Sequence, residues 1–263
     1  MDFFAKKYWD IAHTNGIFHT SSRRIPDEQW RVWTGANKIT SFESKELSRK
    51  IFSSEIHKLW EKSKRILPNT SHLIDLKSMW TVYRKLEDNK KILTTKLLSG
   101  EYGTNQRMRQ RCQQSNDKCP RCGAEENSNH LWVCQSITSQ QIWEEELARF
   151  EKALRSFPTD RRLMKLLITN LTKHSRNLAP YTNESFGNKY HKMFQEQSKI
   201  GWDSLSKGFI HRGWSRIQEN FLRNRKSKRD SNQWSAKVVR KVWMIAWRQW
   251  EDTNKIKHER SNN

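Results

Sequence analysis

Cys119, Cys122, His130 and Cys134 are the residues of this chain whose types and spacing could do chemistry together, in the pattern C-x2-C-x7-H-x3-C. Two thiolates two residues apart can hold a metal ion from one tight turn. A histidine and a cysteine four residues apart share one side of a helical turn and can close a tetrahedron from the opposite direction. Pro120 fixes one backbone angle in the first turn, and Gly123 tolerates the positive φ such a turn needs. The protein supplies all four positions, which leaves no place for water or substrate. The spacing therefore predicts one structural zinc ion. A ββα finger needs about twelve residues between its halves, so this is a different module. Cys112 lies upstream of the set and reads as a free thiol, with a place among the ligands instead of His130 as the alternative. Coincidental spacing of four unpaired residues is the competing interpretation.

Nothing else in the chain has a catalytic pattern. The nine histidines are scattered, and none pairs with a cysteine or serine in a nucleophile context. There is no G-x-S-x-G, no phosphate-binding glycine loop and no dinucleotide turn. The expectation is a protein that is not an enzyme.

The charge speaks about partners. With 50 Lys+Arg against 28 Asp+Glu, the formal net charge is +22, a field that favours polyanions. One basic group surrounds the metal motif: Arg107, Arg109, Arg111, Lys118 and Arg121. A second is the run Arg223, Arg225, Lys226, Lys228 and Arg229. A third, Lys237, Arg240 and Lys241, is joined by Arg248 on the last helical stretch. Such groups can neutralise backbone phosphates without reading sequence. Trp132, inside the motif, is the aromatic placed to stack on an unpaired base, with core packing as the alternative. The expected partner is nucleic acid, RNA or single-stranded DNA before duplex. No apolar run approaches the ~20 residues of a spanning helix, so no membrane partner is expected. The four cysteines cluster beside a histidine, which argues for a reducing compartment inside the cell, the nucleus before the cytoplasm. A protein-interaction scaffold in which zinc only staples helices is the alternative function. A translational relic is the third.

The elements that must position these groups read as helices. Hydrophobic residues make up only 34% of the chain, but 13 Trp and 11 Phe compensate, so a thin aromatic core is expected rather than a partly disordered chain. Trp9, Trp30 and Trp33 read as anchors in a poorly periodic start. Thr40 and Glu43 resemble a capping box before an amphipathic stripe from Leu47 to Trp60, ended by Pro68. Leu73, Leu76, Met79, Trp80 and Tyr83 suggest a second helix, and residues 90–100 a third before the turn at Gly100. The cleanest stripe is Trp143, Leu147, Phe150, Leu154 and Phe157, stopped by Pro158. Thr159 is placed to cap the next helix, which carries Leu163, Leu166, Leu167 and Leu171. Long helices follow, and the last runs through Trp234, Val242, Trp243, Trp247 and Trp250. The predicted fold is mainly α, a helical bundle with a small central zinc knuckle. Residues 1–99 form an N-terminal helical region, and 100–171 hold the knuckle and the helices after it. Residues 172–188 are a linker or loop where the chain would divide. Residues 189–263 form a basic, Trp-rich helical region.

The stretch from Lys96 through Arg107-Met108-Arg109-Gln110-Arg111 to Cys119-Pro120-Arg121-Cys122-Gly123 and Asn129-His130-Leu131-Trp132-Val133-Cys134 resembles the zinc-binding region downstream of LINE-type reverse transcriptases. Glu125-Glu126 and Ile142-Trp143 match that pattern too. The closing Trp247 to Asn254 and His258 are similar to the tail of some retroelement-like reading frames. The good match covers about residues 70–145. The family usually has four residues between its histidine and last cysteine, and here there are three. No Tyr-x-Asp-Asp-like pair is present, and Phe157-Pro158-Thr159-Asp160 is followed by no nuclease carboxylates. The resemblance implies nucleic-acid binding by a detached C-terminal part of a retroelement protein, without polymerisation or cleavage.

Overall fold

The computed structural model describes residues 32–34, 37–39, 70–113, 116–181 and 186–261. The chain forms two units, Met1–Leu59 and Trp60–Asn263. In the first, the described residues make an antiparallel hairpin of β1 (Val32–Thr34) and β2 (Asn37–Ile39), with Val32 opposite Ile39. The hairpin falls in the poorly periodic start of residues 1–99, a region whose sequence reads as helical overall. The capping box at Thr40 and Glu43, the stripe from Leu47 to Trp60, and the anchors Trp9 and Trp30 lie outside the described residues.

The second unit is helical where it is described. Asp75 caps α1 (Leu76–Tyr83), its carboxylate accepting from Ser78 N at 3.0 Å. Two more helices follow, α2 (Asp88–Ser99) and the short α3 (Asn105–Gln110). The knuckle comes next and ends in α4 (His130–Val133). Ser136 caps α5 (Ile137–Arg155), whose Trp143, Leu147, Phe150 and Leu154 face the core. Pro158 cannot continue the helix, and Phe157 tucks in beneath the turn. The cap of α6 (Arg161–Ser175) is Asp160, which accepts from the amides of Arg162 at 3.0 Å and Leu163 at 3.4 Å. Thr159, expected as that cap, donates its hydroxyl to Leu154 O at 2.8 Å instead. A carboxylate is the stronger partner for the positive end of a helix.

Three further helices, α7 (Asn188–Ile200), α8 (Trp202–Ser206) and α9 (Gly213–Asn224), lead to α10 (Ser231–Ser261). With 31 residues, α10 is about 46 Å long. It packs against α1, α5 and α9 and is the spine of the unit. Trp234, Val238, Val242, Trp243 and Ala246 are buried on it. Gly208, at φ +94, lies so close to Trp243 that a Cβ would come within 2.5 Å of the indole nitrogen. That nitrogen donates to Lys207 O at 2.8 Å.

Residues 172–188 do not separate two bodies. The chain after α6 folds back on it, with Tyr181 N donating to Asn170 Oδ1 at 2.6 Å. A continuous core runs from Ile74 to Trp247, so α10 serves the helices on both sides of this segment. Among the described residues no helix is long and apolar enough to cross a membrane.

Candidate metal centre

The knuckle begins as a narrow loop in which Lys118 bridges Glu125 in an isolated β-pair. Cys119 N donates to Ala124 O at 2.6 Å, and Gly123 N returns to Cys119 O at 2.9 Å. Gly123 takes φ +76, the conformation its position was expected to need. Arg121 N points at Cys119 Sγ, 3.4 Å away. The second half of the set arrives on α4. Asn127 shapes its entry, its side-chain oxygen accepting from Asn129 N at 2.9 Å and His130 N at 3.0 Å. The helical turn stops at Val133, and Cys134 follows it in extended backbone rather than on the helix.

The loop and α4 bring together Cys119, Cys122, His130 and Cys134, with all four ligand atoms within 4.8 Å of one another. His130 Nε2 is 3.2 Å from Cys122 Sγ. Cys119, His130 and Cys134 are buried and Cys122 is exposed, so the site is a shallow centre with one ligand at the rim. A hydrogen bond from Cys119, aided by His130 and Ser136, holds the Cys134 thiol far below the usual range. The same bond, together with desolvation, pushes Cys119 up. Beside a cation, both buried sulfurs can be thiolates at once. The set fits one metal ion on the chemistry of its donors. Cys112 is exposed and lies outside the group.

The structure also shows what fastens this centre to the bundle, which the sequence did not. Glu126 is buried and accepts from Asn105 N at 2.6 Å and from Lys257 Nζ at 2.7 Å. One carboxylate thereby joins the knuckle, the start of α3 and the end of α10. Arg121 is the second fastener. Its side chain is 1% exposed and donates to Gln249 Oε1 at 2.6 Å and Asp252 Oδ2 at 3.4 Å. Gln249 in turn donates to Ser139 O at 2.8 Å, so α5 is held in the same network. Trp132 is the third, fully buried with its carbonyl accepting from Trp143 Nε1 at 3.0 Å. One signal was available: Gln249 and Thr253 are polar residues at helical spacing on the buried face of α10, where an apolar residue would be expected.

These placements change the reading of the basic residues. Arg121 and Trp132 are corrected: both are buried structural groups, out of reach of a phosphate or a base. Arg107 and Arg111 both pair with Glu101, and Arg109 pairs with Asp117 at 2.6 Å. Lys118 remains exposed. The second group differs. Arg225, Lys226, Lys228 and Arg229 are exposed and, among the described residues, have no carboxylate within ion-pair distance; Arg223 has Glu219 at 3.3 Å. On α10, Arg240 is exposed and Lys237 and Lys241 are half-buried, while Arg248 is held by Glu145 at 2.8 Å and Glu146 at 2.9 Å.

Comparison of the chain with family models, with curated proteins and with solved structures gives no match.

Proposed function

We propose that this is a zinc-stapled helical protein that binds nucleic acid through phosphates, without reading sequence. Zinc is favoured by a donor set of three thiolates and one imidazole. A tetrahedral ion at about 2.3 Å from sulfur and about 2.0 Å from nitrogen needs ligand atoms about 3.5–3.8 Å apart, inside the 4.8 Å that encloses the four and slightly wider than the 3.2 Å between Cys122 Sγ and His130 Nε2. The ion's role is structural, because protein atoms fill all four places.

One observation carries the binding reading: among the described residues the cations of residues 225–229 stand in solvent without carboxylate partners, although acidic residues neutralise most of the basic groups around the knuckle. Desolvating an already paired arginine returns little, whereas an unpaired cation gains from each phosphate it meets. The resemblance to the zinc-binding region of retroelement reverse transcriptases over residues 70–145 points the same way. The test is a salt-titrated binding assay. The affinity for nucleic acid is expected to fall at least tenfold between about 50 and 200 mM salt. An affinity indifferent to salt contradicts the reading.

The scaffold reading also has an observation in its favour. Arg121 and Trp132, two knuckle residues whose types suit nucleic-acid contact, are turned inward and hold the knuckle to the bundle instead. Under that reading the purified protein binds no nucleic acid at physiological salt.

A further inference from the structure

The turn between α5 and α6 and the loop between α9 and α10 meet at Phe157. Arg229 and Lys237 lie over its ring, 5.8 and 5.5 Å from the centre. Both helices that flank the basic loop are tied to the same turn. Trp234 Nε1 donates to Thr159 Oγ1 at 3.2 Å, and Gln218 Nε2 donates to Pro158 O at 2.6 Å. From the turn itself, Arg155, Arg161 and Lys165 line a cleft of about 390 Å³ between α5 and α6. Arg155 pairs with Glu151; among the described residues the other four cations have no carboxylate within 4.0 Å. Two stretches far apart in sequence, residues 155–165 and 229–237, thus place their cations around one junction.

Among the described residues no exposed aromatic ring accompanies them. Phe157 is buried, and Phe221 is covered by Arg225, whose guanidinium sits 4.6 Å from the ring centre. Among the described residues the exposed aromatics are Trp80 and Tyr181. Tyr181 is bound to Asn170, about 14 Å along α6 from Arg161. Trp80 is on α1, where its ring stacks on Tyr83 of the same helix, 6.0 Å between ring centres. Single strands are held largely by stacking bases on exposed rings, and among the described residues this pole offers none. A duplex needs no such platform. It presents one phosphate charge per ~1.7 Å of its axis, against ~3.4 Å for one strand, so a fixed group of cations meets more charge on it.

We infer that this pole is a docking surface for duplex nucleic acid, held by its phosphates, and that single strands bind it less well. The inference rests on the nucleic-acid-binding reading above and reverses the expected preference for RNA or DNA single strands.

The test uses the full chain, with duplex DNA, duplex RNA and single strands of equal length as probes. The pole variant carries Arg155→Gln, Arg161→Gln, Lys165→Gln and Arg229→Gln. A control variant carries Lys77→Gln, Arg84→Gln, Lys85→Gln and Lys96→Gln, the same change in charge on α1 and α2. Thermal melting checks that both are folded. The parent is expected to bind duplex at least about tenfold more tightly than single strands at about 100 mM salt. The pole variant is expected to lose at least about tenfold in duplex affinity and about two or more units of salt slope, and the control less than about threefold. The two duplex arms tell whether B-form or A-form is preferred. Equal or tighter binding of single strands overturns the inference and leaves the binding reading standing, as does a pole variant no weaker than the control. A parent that binds none of the probes overturns both.

Discussion

The two ends of α10 use the same residue types for opposite purposes. At its C-terminal end, cations are structural: Lys257 closes on the buried Glu126, and Arg121 reaches in from the knuckle to Gln249 and Asp252. At its N-terminal end, the exposed Arg229 covers Phe157 and, among the described residues, has no acidic partner. The difference is burial. A cation taken out of water must be paired or hydrogen-bonded, so the knuckle end spends its charges on carboxylates and amides. A cation left in water needs no partner and stays available to a polyanion. A net charge of +22 says nothing about which cations are which; tertiary contacts decide it.

Changes at the knuckle end should therefore cost stability, and changes at the basic pole should cost binding alone. The largest effect is expected from Cys119→Ser with Cys122→Ser. Losing the ion removes binding energy that is folding energy, so about 5 kcal/mol or more is expected, about 10–20 °C in melting temperature. Far-UV circular dichroism on heating measures it. A double variant that melts like the parent breaks the comparison outright.

Lys257→Met comes next. It strands the Glu126 carboxylate in a buried place, at a cost of about 3 kcal/mol in denaturant unfolding. Pairing it with Glu126→Gln should recover a large part of that loss, as a double-mutant cycle will show. Arg121→Ala should cost about 1–3 kcal/mol, because Gln249 Oε1 keeps only Ser139 Oγ as a donor and Asp252 loses Arg121 in a sealed network. If Arg121→Ala instead left stability unchanged and weakened nucleic-acid binding, the residue would belong with the pole.

Much of the molecule was legible because its signals are local. The metal ligands sit within sixteen residues of sequence, close enough for spacing alone to show the turn and the returning helix. The stripe from Trp143 to Phe157 also read correctly, since a helix of 19 residues with a Pro stop carries its own periodicity. Trp80 shows the limit. It fits the stripe of α1, yet it is 59% exposed, while Val82, off that stripe, is buried. An eight-residue helix is too short for its pattern to fix which face turns inward. The docking of the knuckle left only one mark in the sequence, the polar Gln249 and Thr253 on an otherwise apolar face of α10. Arg121 meets Gln249, and Glu126 meets Lys257, across more than 120 residues of chain, and no pattern in a single sequence encodes such pairs.

Smaller effects concern pH and the pole. Burial pushes His174 and His211 down to about 4, from an ordinary value near 6.5. Glu196 opposes the shift at His211, and Arg212, Arg216 and Lys199 add to it. Folding therefore favours the neutral rings. Their contribution is complete above pH 6.5 and is lost as the pH falls towards 4. Denaturant unfolding across that window should show the decline, with a shallower slope in His211→Gln. Smallest of all, Arg229→Gln should change stability by no more than about 0.5 kcal/mol, as expected of an exposed side chain.

The most direct test is to measure metal in the purified, folded chain and to follow its melting as a chelator removes it. One zinc per chain, released with a fall in melting temperature and loss of helical signal, is the predicted result. A folded chain that holds no metal, or that melts at the same temperature after stripping, contradicts the account.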